Sequence, residues 1–234
     1  MNLGAKNERF QRTNKLFLVL VLIIVLDFCN FAKAVCPEKC VCKKINENEK
    51  DTESKKITDR DKFLKVKCSN VKLNSLKELD FEEDFENVMH LDLSKNSISY
   101  IDQNEFVNYT NLRRLDLSSN ALKQIDQNMF GEIPSMERLK LTSNLIVHIF
   151  QGSFENMKNL KQLDITANPL ACDCDLVWLV SWSNNYNVRL NPPPKCEAPL
   201  PFKNTLLKRL KVGSDLHCES HSQPILELKP NSDQ

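Results

Sequence analysis

The sequence predicts an α/β solenoid of short stacked coils with a disulfide-bonded cap at each end. One pattern of apolar residues and asparagine recurs every 24 residues between residues 88 and 170. Cysteines flank this region in two groups of four, at residues 36–68 and 172–218. A basic segment followed by a short apolar run precedes the first group. Together these three observations predict an exported repeat protein.

Residues 1–34 are typical of a cleaved secretory signal peptide. Basic residues precede the apolar run Leu16–Leu26, and Ala32-Lys33-Ala34 supplies a small-residue cleavage site. The alternative is a signal anchor that stays in the membrane. Eleven helical residues, however, rise only about 16 Å, against a hydrocarbon core of ~30 Å. We therefore predict cleavage after Ala34 and a secreted, extracellular chain.

The charge and hydropathy of the remaining 200 residues argue against nucleic-acid binding and against a membrane span. These residues hold 27 Lys or Arg and 29 Asp or Glu, because residues 1–34 take five basic and two acidic side chains with them. A nucleic-acid binder usually has a clear basic excess. No second apolar run approaches the ~20 residues that a membrane span needs. We predict no nucleic-acid partner and no membrane span.

The cysteine count predicts disulfide bonds at both ends of the repeats. Of nine cysteines, Cys29 lies in the predicted signal peptide. The other eight are Cys36, Cys40, Cys42 and Cys68, then Cys172, Cys174, Cys196 and Cys218. An even number in an exported chain favours disulfides, and each group of four allows three pairings. The alternative is a zinc site in each group, but thiols in an oxidising compartment usually pair with each other.

Residues 35–87 form the predicted N-terminal cap. Between its last two cysteines lies the polar insert 43–61, "KKINENEKDTESKKITDRD". Its composition predicts a solvated, disordered loop, and a contact driven by its charges is the alternative. The repeats follow at 88–170, the C-terminal cap at 171–218, and a polar tail at 219–234.

The repeat region aligns in columns when the copies are stacked. Four apolar columns are Val88, Leu112, Met136 and Leu160; Leu91, Leu115, Leu139 and Leu163; Leu93, Leu117, Leu141 and Ile165; and Ile98, Leu122, Ile146 and Leu170. An asparagine column holds Asn96, Asn120, Asn144 and Asn168, and an aromatic column holds Phe106, Phe130 and Phe154. One coil cannot bury its own apolar face, so stacking is needed to make a continuous core.

Each copy begins with a short strand and then turns at its asparagine. Leu91 and Leu93 alternate inward, so Met89, His90 and Asp92 are predicted to face water or a partner. An inward asparagine is costly unless its amide is hydrogen-bonded. The asparagine column therefore predicts a ladder of bonds to the turning backbone, with the phenylalanine column packing along the far side.

The pattern L-x-x-L-x-L-x-x-N-x-L resembles that of the leucine-rich repeat family. The resemblance implies a short curved horseshoe with a parallel sheet on its concave face. "CPEKCVC" with Cys68 resembles the N-terminal cap of extracellular members, which implies the bridges Cys36–Cys42 and Cys40–Cys68. "NPLACDCDLVWLVSW" with the later "KCEAP" and "LHC" resembles the C-terminal cap, which implies Cys172–Cys196 and Cys174–Cys218. The insert departs from the family pattern by its length.

Trp178 and Trp182 lie four residues apart, which places them on one face of a helix. With Leu179 they are predicted to plug the last coil as core residues. The less favoured interpretation is that they contact a ligand.

Motifs for catalysis are missing from the sequence. There is no G-x-S-x-G, no H-E-x-x-H and no glycine-rich phosphate loop. We predict a non-enzymatic protein without a cofactor or a metal. The motif Asn108-Tyr109-Thr110 is a glycosylation acceptor, and an unused motif is the alternative.

Binding must then come from the outward strand positions. The first column consists of His90, Arg114, Arg138 and Gln162, and the second column of Asp92, Asp116, Lys140 and Asp164. Arg113, next to Arg114, is a further outward position. Such mixed charge suits a protein surface, and mutual neutralisation across strands is the alternative.

The predicted function is the binding of an extracellular protein through the concave face. About five strands at ~4.8 Å would span only about 20–25 Å, so modest affinity, a homodimer or help from the caps is expected. One alternative is the ectodomain of a membrane receptor that lacks its anchor. Another is a matrix protein that binds sulfated polysaccharide, with help from Lys208, Arg209 and Lys211.

Overall fold

The computed structural model describes residues 36–45, 63–79, 85–131, 133–211, 213–216 and 218. The predicted signal peptide, most of the polar insert and the polar tail lie outside these residues. In the described part of the chain, no helix is both long enough and apolar enough to cross a membrane.

Nine strands and one α-helix are assigned in the described residues. They are β1 (Val41–Ile45), β2 (Phe63–Lys67), β3 (Val88–Asp92), β4 (Arg114–Asp116), β5 (Gln124–Ile125), β6 (Arg138–Lys140), β7 (His148–Ile149), β8 (Gln162–Asp164), α1 (Trp178–Asn185) and β9 (Arg189–Leu190). Short 3₁₀ turns occur at Leu76–Glu78, Phe85–Asn87, Leu200–Phe202 and Leu207–Arg209. The α-helix thus belongs to the C-terminal cap, and the coils return mainly through turns.

Seven strands form one sheet in the order β1-β2-β3-β4-β6-β8-β9. The pairs from β2 to β9 are parallel, and β1 runs antiparallel to β2. In the return segments, β5 pairs with β7 as a second, two-stranded sheet. The fold is the predicted solenoid, but strands from both caps make the main sheet longer than the repeats alone would. Seven strands span about 29 Å at ~4.8 Å per step.

The core runs the length of the stack. The strand leucines of the repeats, from Leu91 to Leu163, are at most 2% exposed. On the far side, Phe106, Phe130 and Phe154 stack with ring centroids 6.3 and 6.4 Å apart. Each coil therefore buries its apolar face against its neighbours, as the stacking argument requires.

The four asparagines connect the coils through backbone hydrogen bonds. The amide nitrogen of Asn120 donates to the carbonyl oxygens of Leu93 and Leu117, both at 3.0 Å, so it bonds its own coil and the preceding one. Its amide oxygen accepts a bond from the backbone nitrogen of Ile98 at 3.1 Å. Asn144 and Asn168 repeat this arrangement one and two coils later. The buried amides are thus satisfied by the backbone they hold in place.

Asn96 makes the same contacts with the N-terminal cap. Its amide nitrogen donates to the carbonyl oxygens of Cys68 and Leu93, and its amide oxygen accepts from the backbone nitrogens of Val71 and Leu73. The cap therefore behaves as an additional coil, even though Val71 stands where the repeats have asparagine.

A β-bulge at the first cap boundary alters one predicted outward position. The register between β2 and β3 passes from Leu64 opposite Val88 to Lys65 opposite His90, which leaves Met89 as the extra residue. Met89 is buried, at 2% exposure, although the alternation places it outward. The expectation for Met89 is wrong, because a bulge interrupts the alternation of side chains on its strand.

The N-terminal cap closes one end of the stack with the β1–β2 hairpin. Its disulfides join Cys36 to Cys42 and Cys40 to Cys68, the pairs that the resemblance implies. Strand β1 continues to Ile45, which is 2% exposed. The first three residues of the predicted insert are therefore strand, because they pair with Lys65, Leu64 and Phe63 of β2.

The C-terminal cap closes the other end with α1. Its disulfides join Cys172 to Cys196 and Cys174 to Cys218, again the implied pairs. All eight cap sulfurs are thus in disulfides and leave no thiolate for zinc. The ring of Trp182 lies 5.4 Å from that of Phe154, and the indole nitrogen of Trp178 donates to the carbonyl oxygen of Ile149 at 3.2 Å. Both tryptophans cover the end of the phenylalanine column.

Replacing Asn120 by alanine should lower the free energy of unfolding by about 1–3 kcal/mol, because carbonyl oxygens of two coils and one backbone N–H lose a buried partner. Chemical denaturation of the purified protein measures this. The exposed Asn104→Ala is the matched control. Equal stability of Asn120→Ala and wild type would contradict the ladder.

Replacing Trp182 by alanine should lower the free energy of unfolding by about 3–5 kcal/mol, because it opens a cavity over Phe154. Thermal and chemical unfolding measure this. Ser181→Ala, an exposed change on the same helix, should leave stability within ~0.5 kcal/mol of wild type. A small effect of Trp182→Ala would show that the last coil closes without this side chain.

Candidate functional site

The outward face of the main sheet brings the predicted binding residues together. Arg114 lies opposite His90 on one side and Arg138 on the other, and Gln162 follows Arg138. Asp116 lies between Asp92 and Lys140, and Asp164 follows Lys140. Register partners in a sheet project from the same face. The first column and the second column are therefore two adjacent rows that cross the strands.

The rows line a shallow hollow on the concave face. Its volume is about 280 Å³. The hollow is lined by the first-column residues His90, Arg114 and Arg138, by the second-column residues Asp92, Asp116 and Lys140, and by Lys65. Lys65 belongs to the N-terminal cap, so the hollow extends beyond the repeats.

The three aspartates of the second column stabilise the turns that follow their strands. One carboxylate oxygen of Asp116 accepts bonds from the backbone nitrogen of Ser118 at 3.0 Å and from its hydroxyl at 2.5 Å. Asp164 accepts the same two bonds from Thr166 at 3.1 and 2.6 Å. Asp92 accepts from the backbone nitrogen of Ser94 at 3.0 Å. These aspartates therefore serve the fold as local turn caps.

Ion pairs across the strands neutralise part of the concave charge. The ammonium nitrogen of Lys140 lies 3.3 Å from a carboxylate oxygen of Asp116. In the neighbouring outward row, Lys161 lies 3.1 Å from Glu137. These two pairs fit the alternative in which the outward charges neutralise each other across strands. Each is worth at most ~1 kcal/mol, since the lysines are solvent-exposed.

The first column differs from the second in accessibility and charge. Its side chains become more open from β3 to β6: His90 is 8% exposed, Arg114 is half-buried and Arg138 is exposed. Gln162 is half-buried and donates through its amide nitrogen to the carbonyl oxygen of Asn191 at 3.4 Å. Arg113 is half-buried in the row that precedes this one. Sequence reasoning alone treats both columns alike, because the turn bonds of the aspartates become visible only in three dimensions.

Among the described residues, no group of three or more His, Cys, Asp or Glu side chains is placed to hold a metal ion. Burial raises the pKa of Tyr109, which packs edge-on against Phe106 and Phe85. This phenol stays neutral in the core under the return segment, where it acts in packing.

Asn108, in the sequon, is exposed on the return segment of the first coil. Its neighbour Tyr109 is 2% exposed and anchors the segment. Thr110 is exposed, and its carbonyl oxygen accepts a bond from the hydroxyl of Ser135 at 2.8 Å. The acceptor side chain therefore points away from the core and lies off the strand rows.

Comparison with known proteins supports this picture of the fold. The leucine-rich repeat family profile matches residues 68–122 and 110–170. No curated protein matches the chain significantly. Among 289 matching chains of solved structures is human 5T4, also called Wnt-activated inhibitory factor 1 or trophoblast glycoprotein. The TM-score is 0.50 at 24% sequence identity. The match covers 58% of this chain and 50% of that one, and it shows a shared fold.

The repeats, the parallel sheet and the paired cysteines agree with this comparison. Leucine-rich repeats are a protein-interaction module. Residues 68–170 are leucine-rich repeats, and a disulfide-bonded cap lies at each end of them.

Proposed function

We propose that this protein is a secreted module that binds an extracellular protein through the concave strand face. The observation that carries the proposal is the first column, in which outward side chains of four repeat strands align in one row beside a hollow. Aligned side chains on a rigid sheet bind with little loss of conformational entropy, because the backbone is already ordered. This favours recognition of a folded or extended protein surface.

Two features support an extracellular location. Four disulfides join the cap cysteines, and such bonds persist in oxidising compartments. The predicted signal peptide agrees with export. A receptor ectodomain would share both features, so it remains the alternative within the same class of binding protein.

A sulfated polysaccharide is the second candidate partner. Lys208, Arg209 and Lys211 are exposed on the C-terminal cap, and clustered cations attract polyanions. Retention on heparin at physiological salt, lost on changing these three residues to glutamate, would favour this candidate over a protein partner.

The double variant Arg114→Glu, Arg138→Glu should weaken capture of the protein partner by at least about tenfold, because each reversal replaces attraction by repulsion in the same row. Cross-linking of tagged protein to cell-surface and secreted proteins, followed by quantification of the captured partner, measures this. Arg138 is exposed and Arg114 is half-buried, so the melting temperature of the variant is measured beside that of wild type to separate weaker binding from weaker folding.

The matched control is Lys123→Glu, Lys158→Glu. Both lysines are exposed in return segments, and the change in net charge is the same. Undiminished capture by the Arg114 and Arg138 variant would move the binding site off the strand face.

Glycosylation of Asn108 should leave partner capture unchanged, because the acceptor lies away from the strand rows. Asn108→Gln should remove one glycan of about 2 kDa when the protein is secreted from mammalian cells. Gel mobility with and without glycosidase treatment detects the shift. Loss of capture in Asn108→Gln would place the partner on the return segments instead.

A further inference from the structure

The first column continues into both caps. Lys65 pairs in register with His90, and Lys43 pairs with Lys65. At the other end, Arg189 pairs with Gln162. The extended first column is therefore Lys43, Lys65, His90, Arg114, Arg138, Gln162 and Arg189, one residue from each strand of the main sheet.

This row carries only basic or neutral side chains. At ~4.8 Å per strand it covers about 29 Å. Lys43, Lys65, Arg138 and Arg189 are all exposed. Within the described part of the chain none of these four forms an ion pair, whereas Lys140 and Lys161 do. These four side chains therefore present positive charge at both ends of the row and, through Arg138, near its middle.

Like charges at neighbouring positions of a sheet repel each other. Lys43 and Lys65 face each other at exposed positions of β1 and β2. A row of carboxylates on a partner would relieve the repulsion and gain attraction at the same time.

The aspartates beside the row favour an acidic protein segment over a sulfated polysaccharide as the partner. On β3, β4 and β8, two residues beyond the row and about 7 Å away, lie the carboxylates of Asp92, Asp116 and Asp164. A sulfated polysaccharide carries charge on all sides and would approach these aspartates. A protein segment can carry carboxylates on one side only, because alternate side chains of an extended chain point in opposite directions.

We propose that the extended first column binds an extended acidic segment of a partner protein, which crosses the strands from one cap to the other. This inference rests on the proposed function and adds the chemistry of the partner. It also makes the caps part of the binding surface, through Lys43, Lys65 and Arg189.

A synthetic probe tests the inference without knowledge of the natural partner. The probe is a fluorescent peptide of about five Glu-Ser repeats, which at ~3.3 Å per residue spans the sheet when extended. The neutral comparison peptide has glutamine in place of glutamate. Binding to the whole secreted protein is followed by fluorescence anisotropy at low salt and again at ~0.15 M ionic strength, where surface attraction is screened.

The wild-type protein should bind the Glu-Ser peptide about tenfold more tightly than the Gln-Ser peptide, and Lys65→Glu, Arg189→Glu should remove about tenfold of that affinity. The milder Lys65→Gln, Arg189→Gln should remove part of it. Lys123→Glu, Lys158→Glu, with the same charge change on the return segments, should stay within about twofold of wild type. Melting temperatures of all variants report on folding.

Three outcomes would overturn the inference. One is equal binding of the two peptides. Another is unchanged Glu-Ser binding in both cap variants. The third is that a heparin oligosaccharide binds in a way that depends on Lys65 and Arg189, while the Glu-Ser peptide does not bind.

These outcomes are separable from the fate of the proposed function. If partner capture depends on Arg114 and Arg138 but the peptide result fails, the strand face still binds a protein and only its acidic chemistry is wrong. If the peptide result holds but capture is independent of these arginines, the natural partner docks elsewhere.

Discussion

The side-chain amide that turns each coil is the interaction on which the rest of the structure depends. Asn120 and its three counterparts bond the backbone of their own coil and of the preceding one, so each coil fixes the position of its neighbour. The alignment of strand leucines, the stacking of phenylalanines and the two outward rows all follow from that fixed offset. The hydrogen bonds that satisfy the buried asparagine amides therefore also align the outward rows of the sheet.

Stacking leaves two ends that must be covered, and the caps here do more than cover them. The β1–β2 hairpin at one end and β9 at the other continue the same sheet, so the row of outward side chains does not stop where the repeats stop. Disulfides hold these terminal elements, where fewer neighbours contribute packing than in the middle of the stack. The caps therefore both close the core and lengthen the outward face of the sheet.

Periodic features could be predicted from the sequence, and features that depend on one particular junction could not. The asparagine column and the stacked phenylalanines repeat four and three times, so their roles follow from the pattern. The bulge at Met89 occurs once, where β2 meets β3, and no repeated signal announces it. The strand character of Lys43 to Ile45 was hidden by polar composition, and the turn bonds of Asp116 depend on a side-chain geometry that composition does not encode.

The aspartates that cap the turns limit how this surface can diversify. In the coils where an aspartate closes the turn, that outward position is committed to the fold, and substitution there changes folding along with recognition. The first column and the neighbouring row of Arg113, Glu137 and Lys161 are the outward positions whose identity the turn does not set. Variation of this face is therefore confined to these two rows, and a larger variable surface requires more coils or, as here, strands supplied by the caps.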